Sequence, residues 1–123
     1  MISVLASFWA VWFLFATPPA VEKVQWLSAV EHDFGDIDKN KAVSHTFLFK
    51  NSSKVPLLID NVRTSCGCTG STWIETPILP DSIGQIMIEY DARDIGYFYK
   101  SAKVYFHRQR KAEKLYITGV VLE

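Results

Sequence analysis

The sequence has few of the residues that reactive sites usually require. Its 123 residues include only two cysteines and three histidines, and Lys plus Arg equals Asp plus Glu at 13 each. With one closely spaced pair of cysteines, it has no four-ligand cysteine set for zinc. It also lacks a glycine-rich phosphate loop, an HExxH pair and a GxSxG elbow. These absences argue against the common zinc, nucleotide-binding and serine-hydrolase sites, and the zero net charge gives no field that would attract nucleic acid.

A cluster of basic residues lies near the C-terminus, where its only acidic neighbours are Glu113 and Glu123. No aromatic residues interleave with these charges in the pattern of a recognition surface. We therefore interpret the cluster as the solvated face of a strand with its polar turn, and we predict no nucleic-acid partner. The cluster comprises Lys100, Lys103, Arg108, Arg110, Lys111 and Lys114.

Residues 1–20 form an apolar segment that differs from the rest of the chain. From Ile2 to Ala16 the only polar side chains are two serines, and the first charged side chain is Glu22. A helix of this length would span about 22 Å, short of the ~30 Å hydrocarbon core of a bilayer, and the prolines from Pro18 onward would end it. The length is typical of an export signal. We therefore predict that residues 1–20 direct the protein to the periplasm or cell envelope.

A retained N-terminal anchor is the alternative interpretation of this segment. No Lys or Arg precedes the apolar run, and Pro18 stands where a small residue usually precedes the cleavage site. In that case residues 1–20 would stay in contact with the membrane, and the protein would be exported without cleavage.

After Ala20 the chain alternates short extended runs with turn residues, and it shows no helical period. In the run from Ala42 to Asn51, Phe47 and Phe49 share one face and Lys50 lies on the other, which is the period-two pattern of a strand. Six or seven such strands without crossover helices predict an antiparallel β-sandwich over residues 31–123, with residues 21–30 as a short lead-in. The runs cover residues 31–37, 42–51, 55–64, 85–91, 99–107 and 114–122.

The same alternation predicts the core and the role of the histidines. His45 shares the parity of Phe47 and Phe49 on its strand, so we interpret it, like His32 and His107, as a structural residue rather than a ligand. The side chains predicted to form one core are Phe47, Phe49, Ile59, Ile86, Ile88, Val104 and Ile117.

Both cysteines lie in the stretch SCGCT, residues 65–69, at the end of the strand predicted from Val55. Residues i and i+2 of a strand share a face about 6.6 Å apart, at the limit of the ~4.4–6.8 Å that a disulfide spans between Cα atoms. Gly67 can bring Cys66 and Cys68 closer, because glycine adopts dihedrals that are closed to other residues. The spacing permits a small, strained disulfide ring, which we predict at the rim of the sandwich and partly exposed.

The spacing leaves three roles open for Cys66 and Cys68. The pair could be purely structural. As two thiolates it would nearly complete a linear copper(I) site, although it is two ligands short for zinc. As a strained disulfide it would be readily reduced and suited to thiol–disulfide exchange. The two cysteines are therefore the candidate metal or redox residues, and copper(I) is the one cofactor considered.

Several motifs, taken in order, resemble the bacterial domain-of-unknown-function family 1573. They are D-F-G-x-I at Asp33 to Ile37, V-S-H-T-F-x-F-K-N at Val43 to Asn51, N-V-R-T-S-C-G-C-T at Asn61 to Thr69, and L-x-I-x-G-x-V at Leu115 to Val121. The resemblance implies an immunoglobulin-like sandwich, related to hydin and major-sperm-protein domains, in an exported protein of the kind common in the Bacteroidetes. It implies no reaction. Within the motif, Gly67 and Thr69 are the residues that support the cysteines.

We therefore expect a non-enzymatic, exported immunoglobulin-like domain that binds or supports another protein of the cell envelope. Sandwiches of this kind offer sheet edges to which a partner strand can pair, although a fold alone does not establish a function. Copper(I) binding and thiol–disulfide exchange at Cys66 and Cys68 are the alternatives.

Overall fold

The computed structural model describes residues 23–123, which form two β-sheets packed face to face. Eight strands make up the sandwich: β1 (Val24–Trp26), β2 (Glu31–Asp38), β3 (Val43–Asn51), β4 (Ile59–Thr64), β5 (Thr69–Trp73), β6 (Ile83–Tyr90), β7 (Gly96–Phe106) and β8 (Glu113–Leu122). Sheet A has the order β1-β3-β6-β5, and sheet B has the order β2-β8-β7-β4. The predicted β-sandwich is thus confirmed. The predicted export segment, residues 1–20, lies outside the described residues.

Two strands were not predicted from the sequence, because they are short. Strand β1 lies in the segment treated as a lead-in, where it pairs antiparallel with the end of β3, Trp26 opposite Phe49. The Trp26 ring meets the Phe49 ring edge-on, with 5.5 Å between centroids. Strand β5 has only five residues, TGSTW, too few to show a period of two, and a glycine and a serine interrupt its strand-forming residues. Within residues 23–123 no helix is long and apolar enough to cross a membrane.

Strand β2 departs from the predicted antiparallel arrangement, because it pairs in parallel with β8. The register shifts between Asp33 and Asp36, where Gly35 has a φ of +69° and donates its N–H to Asp33 Oδ1 at 2.8 Å. A left-handed residue of this kind makes a bulge that glycine accommodates without strain.

The core lies between the sheets and follows the period-two pattern. All seven side chains predicted for it are buried. Strand β6 shows the pattern well: Ile86, Ile88 and Tyr90 are buried, and the residues between them are more exposed. Gly84 faces Phe49 across the β3–β6 pair, and a Cβ atom at Gly84 would overlap the Phe49 ring. Glycine at this position therefore leaves the space that the ring fills.

Asn51 organises the loops at one end of the sandwich. It is fully buried, and its Nδ2 donates to the carbonyl oxygens of Val55 and Ile78, both at 2.8 Å. Its Oδ1 accepts from the N–H of Ser53 at 2.9 Å and from the Ser53 hydroxyl at 2.6 Å. The Asn51 side chain thus forms hydrogen bonds with backbone groups of two loops. Because both ends of its amide have partners, the amide can be buried without a large desolvation penalty.

Candidate functional site

The cysteine turn, residues 65–68, crosses from one sheet to the other. Strand β4 ends in sheet B at Thr64, and β5 begins in sheet A at Thr69. The N–H of Ser65 donates to the Ser101 carbonyl of β7 at 2.9 Å, and the N–H of Asp91 donates to the Cys68 carbonyl at 3.0 Å. The turn is therefore fastened to both sheets. It lies at the end of the sandwich away from Asn51.

Cys66 and Cys68 form a disulfide within this turn, with 5.3 Å between their Cα atoms. Both residues are partly exposed, as predicted for a pair at the rim. The expectation about Gly67 was wrong: among the described glycines, positive φ occurs at Gly35 and Gly96 and not at Gly67. The two cysteines approach because the chain leaves the extended conformation after β4 and turns, which shortens the ~6.6 Å spacing of a strand.

Two threonine hydroxyl groups border the disulfide and have different roles. Thr69 Oγ1 lies 3.5 Å from Cys66 Sγ and 3.8 Å from Cys68 Sγ, so one hydroxyl contacts both sulfur atoms. Thr64 Oγ1 instead donates to the Cys66 carbonyl oxygen at 3.1 Å, so its hydroxyl contacts the backbone and neither sulfur atom. Thr69 is only 5% exposed. Its hydroxyl is therefore held in place by packing, with the sulfur atoms as its side-chain hydrogen-bonding partners.

The two sulfur-bearing residues have unequal surroundings. Cys68 packs against the hydrophobic core, whereas Cys66 is not among the side chains that contact it. The disulfide thus has one side on the core and one side towards solvent. Such an arrangement allows an external group to reach one sulfur while the other stays anchored.

Copper(I) binding would require the reduced pair, because a thiolate and not a disulfide sulfur is the metal ligand. Within residues 23–123 no group of three or more His, Cys, Asp or Glu side chains is placed to hold a metal ion. A two-sulfur copper(I) site would not need a third ligand. Copper(I) binding by Cys66 and Cys68 therefore stays a prediction.

His32 and His45 form a contact between the two sheets that the sequence did not reveal. Their rings stack at 3.7 Å with an interplanar angle of 7°, and each ring also meets a phenylalanine edge-on, Phe34 or Phe47. Imidazole nitrogens offer their lone pairs in the ring plane, so two parallel stacked rings cannot both direct a nitrogen at one ion between them. His107 lies elsewhere, where its Nδ1 is 3.3 Å from a carboxylate oxygen of Asp60.

Acidification should weaken the fold through His45. Burial, followed by the nearby charge of His32, lowers the pKa of His45 from its ordinary value of 6.5. Below pH 6.5 the unfolded chain therefore binds a proton at His45 that the folded chain does not yet bind. The contribution of neutral His45 to the free energy of unfolding is complete above that pH, and it declines as the pH falls towards the pKa of His45 in the folded state. We expect the Tm to fall as the pH is lowered across this window.

Thermal unfolding of the wild type and of His45→Phe, measured over a series of pH values, checks this expectation. Phenylalanine keeps an aromatic ring beside His32 but has no titrating group. The variant should lose the acid-side decline that His45 causes. An identical decline in both proteins would show that His45 is not its source.

Comparisons with known proteins place this sandwich among immunoglobulin-like folds. A protein of unknown function from Porphyromonas gingivalis W83 superimposes with a TM-score of 0.66 at 13% identity, over 83% of this chain and 50% of that chain. The ASH / PapD-like domain 7 of human CEP192 gives a TM-score of 0.65 at 9% identity, over 87% of this chain and 93% of that domain. This chain therefore spans half the length of the P. gingivalis protein and nearly all of the human domain.

A family 123 glycoside hydrolase from Clostridium perfringens gives a TM-score of 0.57 at 12% identity, over 79% of this chain and 23% of that enzyme. Identities this low establish a shared fold and nothing about activity. No curated protein matches the sequence. The sequence model of one family, described as protein of unknown function (DUF1573), matches residues 26–121. Because that match covers most of the chain, the chain belongs to the DUF1573 family.

Proposed function

We propose that this domain is a non-enzymatic binding module of the bacterial cell envelope that pairs an extended segment of a partner protein with strand β5. The observation that carries the proposal is the open edge of sheet A along β5. The envelope location rests on the apolar residues 1–20. Binding at a sheet edge gains affinity from main-chain hydrogen bonds and selectivity from pockets for alternate side chains.

The edges of sheet B are protected in ways that the β5 edge is not. Strand β2 carries Asp33, Asp36 and Asp38 together with its bulge, and β4 carries Asp60 and Arg63 together with a register shift. Charges and bulges of this kind prevent an edge from pairing with another strand. Strand β5 has no charged residue, no proline and no register shift.

The hydrogen-bonding pattern of β5 leaves main-chain groups available to a partner. The bond from the Asp91 N–H to the Cys68 carbonyl makes these two residues a bonded pair. Bonded and non-bonded pairs alternate along an antiparallel ladder. Ser71 and Trp73 then point their N–H and C=O groups away from β6, towards the open edge. Ile74, which follows β5 and is 39% exposed, supplies apolar surface beside them.

A groove on the outer face of sheet A adjoins this edge. Its volume is about 260 Å³, and residues from β3, β5 and β6 line it. An added strand would place alternate side chains on this face, so one of them would lie beside the groove. The lining residues are Thr46, Thr72, Trp73, Ile74, Gln85 and Met87.

Residues 43–47 of β3 form a second uncovered edge, because β1 pairs with β3 only from Phe49 onward. The outward side chains there are the small Ser44 and Thr46, and the large Phe47 is buried. Strand β5 instead brings the half-buried Trp73 and the exposed Ile74 to its edge. Large apolar side chains contribute most of the binding energy of interfaces, which favours β5.

Two matched substitutions test the proposal. Thr72→Lys puts a charge on the β5 edge, and Ser44→Lys puts the same charge on the uncovered edge of β3, outside the groove; both side chains are exposed on the outer face of sheet A. Short peptides selected from a random library on the full-length chain serve as the probe. We expect Thr72→Lys to weaken peptide binding at least about tenfold, because lysine on an edge opposes strand addition, and Ser44→Lys to leave it nearly unchanged.

Amide hydrogen exchange locates the bound peptide independently of the substitutions. Bound peptide should protect the amides of Ser71 and Trp73, which face the open edge. Loss of binding in Ser44→Lys alone would move the site to the β3 edge. Selected peptides that bind both variants as tightly as the wild type would refute binding at either edge.

A further inference from the structure

The contact of Thr69 with both sulfur atoms has no evident role in building the fold. A buried threonine hydroxyl normally bonds to a nearby carbonyl, as that of Thr64 does with the carbonyl of Cys66. The Thr69 hydroxyl has instead Cys66 Sγ at 3.5 Å and Cys68 Sγ at 3.8 Å. Neutral disulfide sulfur is a weak acceptor, whereas a thiolate is a strong one. The hydroxyl is therefore placed to stabilise a thiolate at either sulfur.

We propose that Cys66–Cys68 is an exchangeable disulfide that oxidises dithiols of other polypeptides, with Thr69 as the hydrogen-bond donor to the departing thiolate. This activity is separate from strand binding at β5. It needs three things that the turn supplies: a sulfur open to attack, a second sulfur held in place and a donor beside the second sulfur.

Cys66 is the sulfur that an external thiolate attacks. Both cysteines are partly exposed, but Cys68 packs against the core and is fastened through its carbonyl to the N–H of Asp91. A thiolate must approach in line with the sulfur–sulfur bond. The solvent-facing side of the disulfide therefore gives access to Cys66 Sγ, and Cys68 is the leaving group. The Thr69 hydroxyl, which contacts both sulfur atoms, lies 3.8 Å from Cys68 Sγ and can donate to the thiolate that forms there.

The reaction is a pair of exchanges in which atoms and electrons balance. In the first, a partner thiolate forms a bond to Cys66 Sγ, the Cys66–Cys68 bond breaks, and its electron pair goes to Cys68 as a thiolate. In the second, the other thiolate of the partner attacks the partner's own sulfur in the mixed disulfide, and Cys66 leaves as a thiolate. The partner dithiol is oxidised to a disulfide by two electrons. Cys66 and Cys68 are reduced, and the two protons of the dithiol pass through water to them.

The test is the rate at which the disulfide of the full-length chain reacts with excess dithiothreitol at fixed pH and ionic strength. Samples are quenched with acid, the thiols are alkylated, and mass spectrometry gives the reduced fraction. Thr69→Val keeps the shape and β-branch of the buried side chain but removes the donor. We expect it to slow reduction about three- to tenfold, since a hydrogen bond to a charged group forms partly in the transition state. Thr69→Ser, which restores a hydroxyl, should recover most of the rate.

Thr64→Val is the matched control, because it removes a hydroxyl that contacts the turn backbone and not the sulfur atoms. It should react at the wild-type rate. Melting curves of all variants, together with the double variant Cys66→Ser, Cys68→Ser, separate chemistry from folding. The double variant should fold with only a modest fall in Tm, because the disulfide closes a very short loop.

Glutathione identifies the attacked sulfur. Brief reaction with reduced glutathione, followed by peptide mapping, should place the mixed disulfide on Cys66. Equal reduction rates in Thr69→Val, Thr64→Val and the wild type would overturn the role of Thr69. Glutathione on Cys68 would overturn the assignment of Cys66 as the attacked sulfur, and a disulfide that resists excess dithiothreitol in the folded protein would overturn the exchange reaction itself. Neither result bears on peptide binding at β5.

Discussion

Asn51→Leu should destabilise the domain by roughly 3–5 kcal/mol, because it removes the four hydrogen bonds that the Asn51 side chain makes. Leucine fills a similar volume but can neither donate to the carbonyls of Val55 and Ile78 nor accept from Ser53. The two carbonyls each keep one partner, the Ser53 hydroxyl for Val55 and the Leu57 N–H for Ile78, so the loss is that of the four bonds, each worth about 0.5–1.5 kcal/mol. Since a domain of this size has about 5–15 kcal/mol of stability in total, the loss is a large share of it, and the variant should unfold at a much lower urea concentration than the wild type. Urea unfolding followed by circular dichroism measures the loss.

Asn61→Leu provides the control for this substitution. Asn61 is exposed on β4, and its side chain accepts one bond from the adjacent N–H of Val62. We expect a loss below about 1 kcal/mol there, as for most surface substitutions. Asn51→Asp is informative as well, because it keeps the acceptor for Ser53 and replaces the two donated bonds with a buried charge. If Asn51→Leu unfolds at the same urea concentration as Asn61→Leu, the cluster does not hold the loops.

Phe47→Ala should lower the free energy of unfolding by about 3–5 kcal/mol, which is the usual range for truncating a phenylalanine in a tightly packed core. Phe47 is fully buried in the middle of β3, opposite Ile86 of the neighbouring strand, and His45 packs edge-on against its ring at 4.7 Å. Truncation leaves a cavity between two sheets that are each held by their own ladders and cannot collapse far to fill it. Differential scanning calorimetry should show a lower Tm and a lower unfolding enthalpy.

Tyr97→Ala tests whether the loss of stability in Phe47→Ala comes from the burial of that side chain or simply from the removal of an aromatic ring. Tyr97 is 70% exposed on β7, so its truncation should change stability by no more than about 0.5 kcal/mol. Comparable losses in the two variants would mean that the sheets do not enclose Phe47 as described.

The long strands of this fold could be predicted because burial on one face leaves a period of two in the sequence. In β3, β6 and β7 that period identified the core side chains correctly. Strand β1 left no such signal, because three residues are too few to show a period and its position is fixed by Trp26 packing on Phe49. The parallel pairing of β2 also carries no local signal. It depends on which strand lies beside it after the sandwich closes.

The site was predictable to the extent that it is local in sequence. Two cysteines separated by one residue, at the end of a strand, predicted a pair at the rim, and the disulfide found there agrees. The contact of Thr69 with both sulfur atoms depends on how the chain turns from sheet B to sheet A, which spacing does not reveal. The stack of His32 on His45 joins strands of different sheets, so no pattern within either strand could indicate it.

The parallel pairing of β2 with β8 imposes an order of events on the newly made protein. Strand β2 leaves the ribosome early, but its neighbour in sheet B is the last strand of the domain. Contacts between parts of the chain so distant in sequence raise the contact order, and high contact order slows folding. Until β8 is available, β2 has no neighbour in sheet B, and its carboxylates at Asp33, Asp36 and Asp38 oppose pairing with a strand of another unfolded chain.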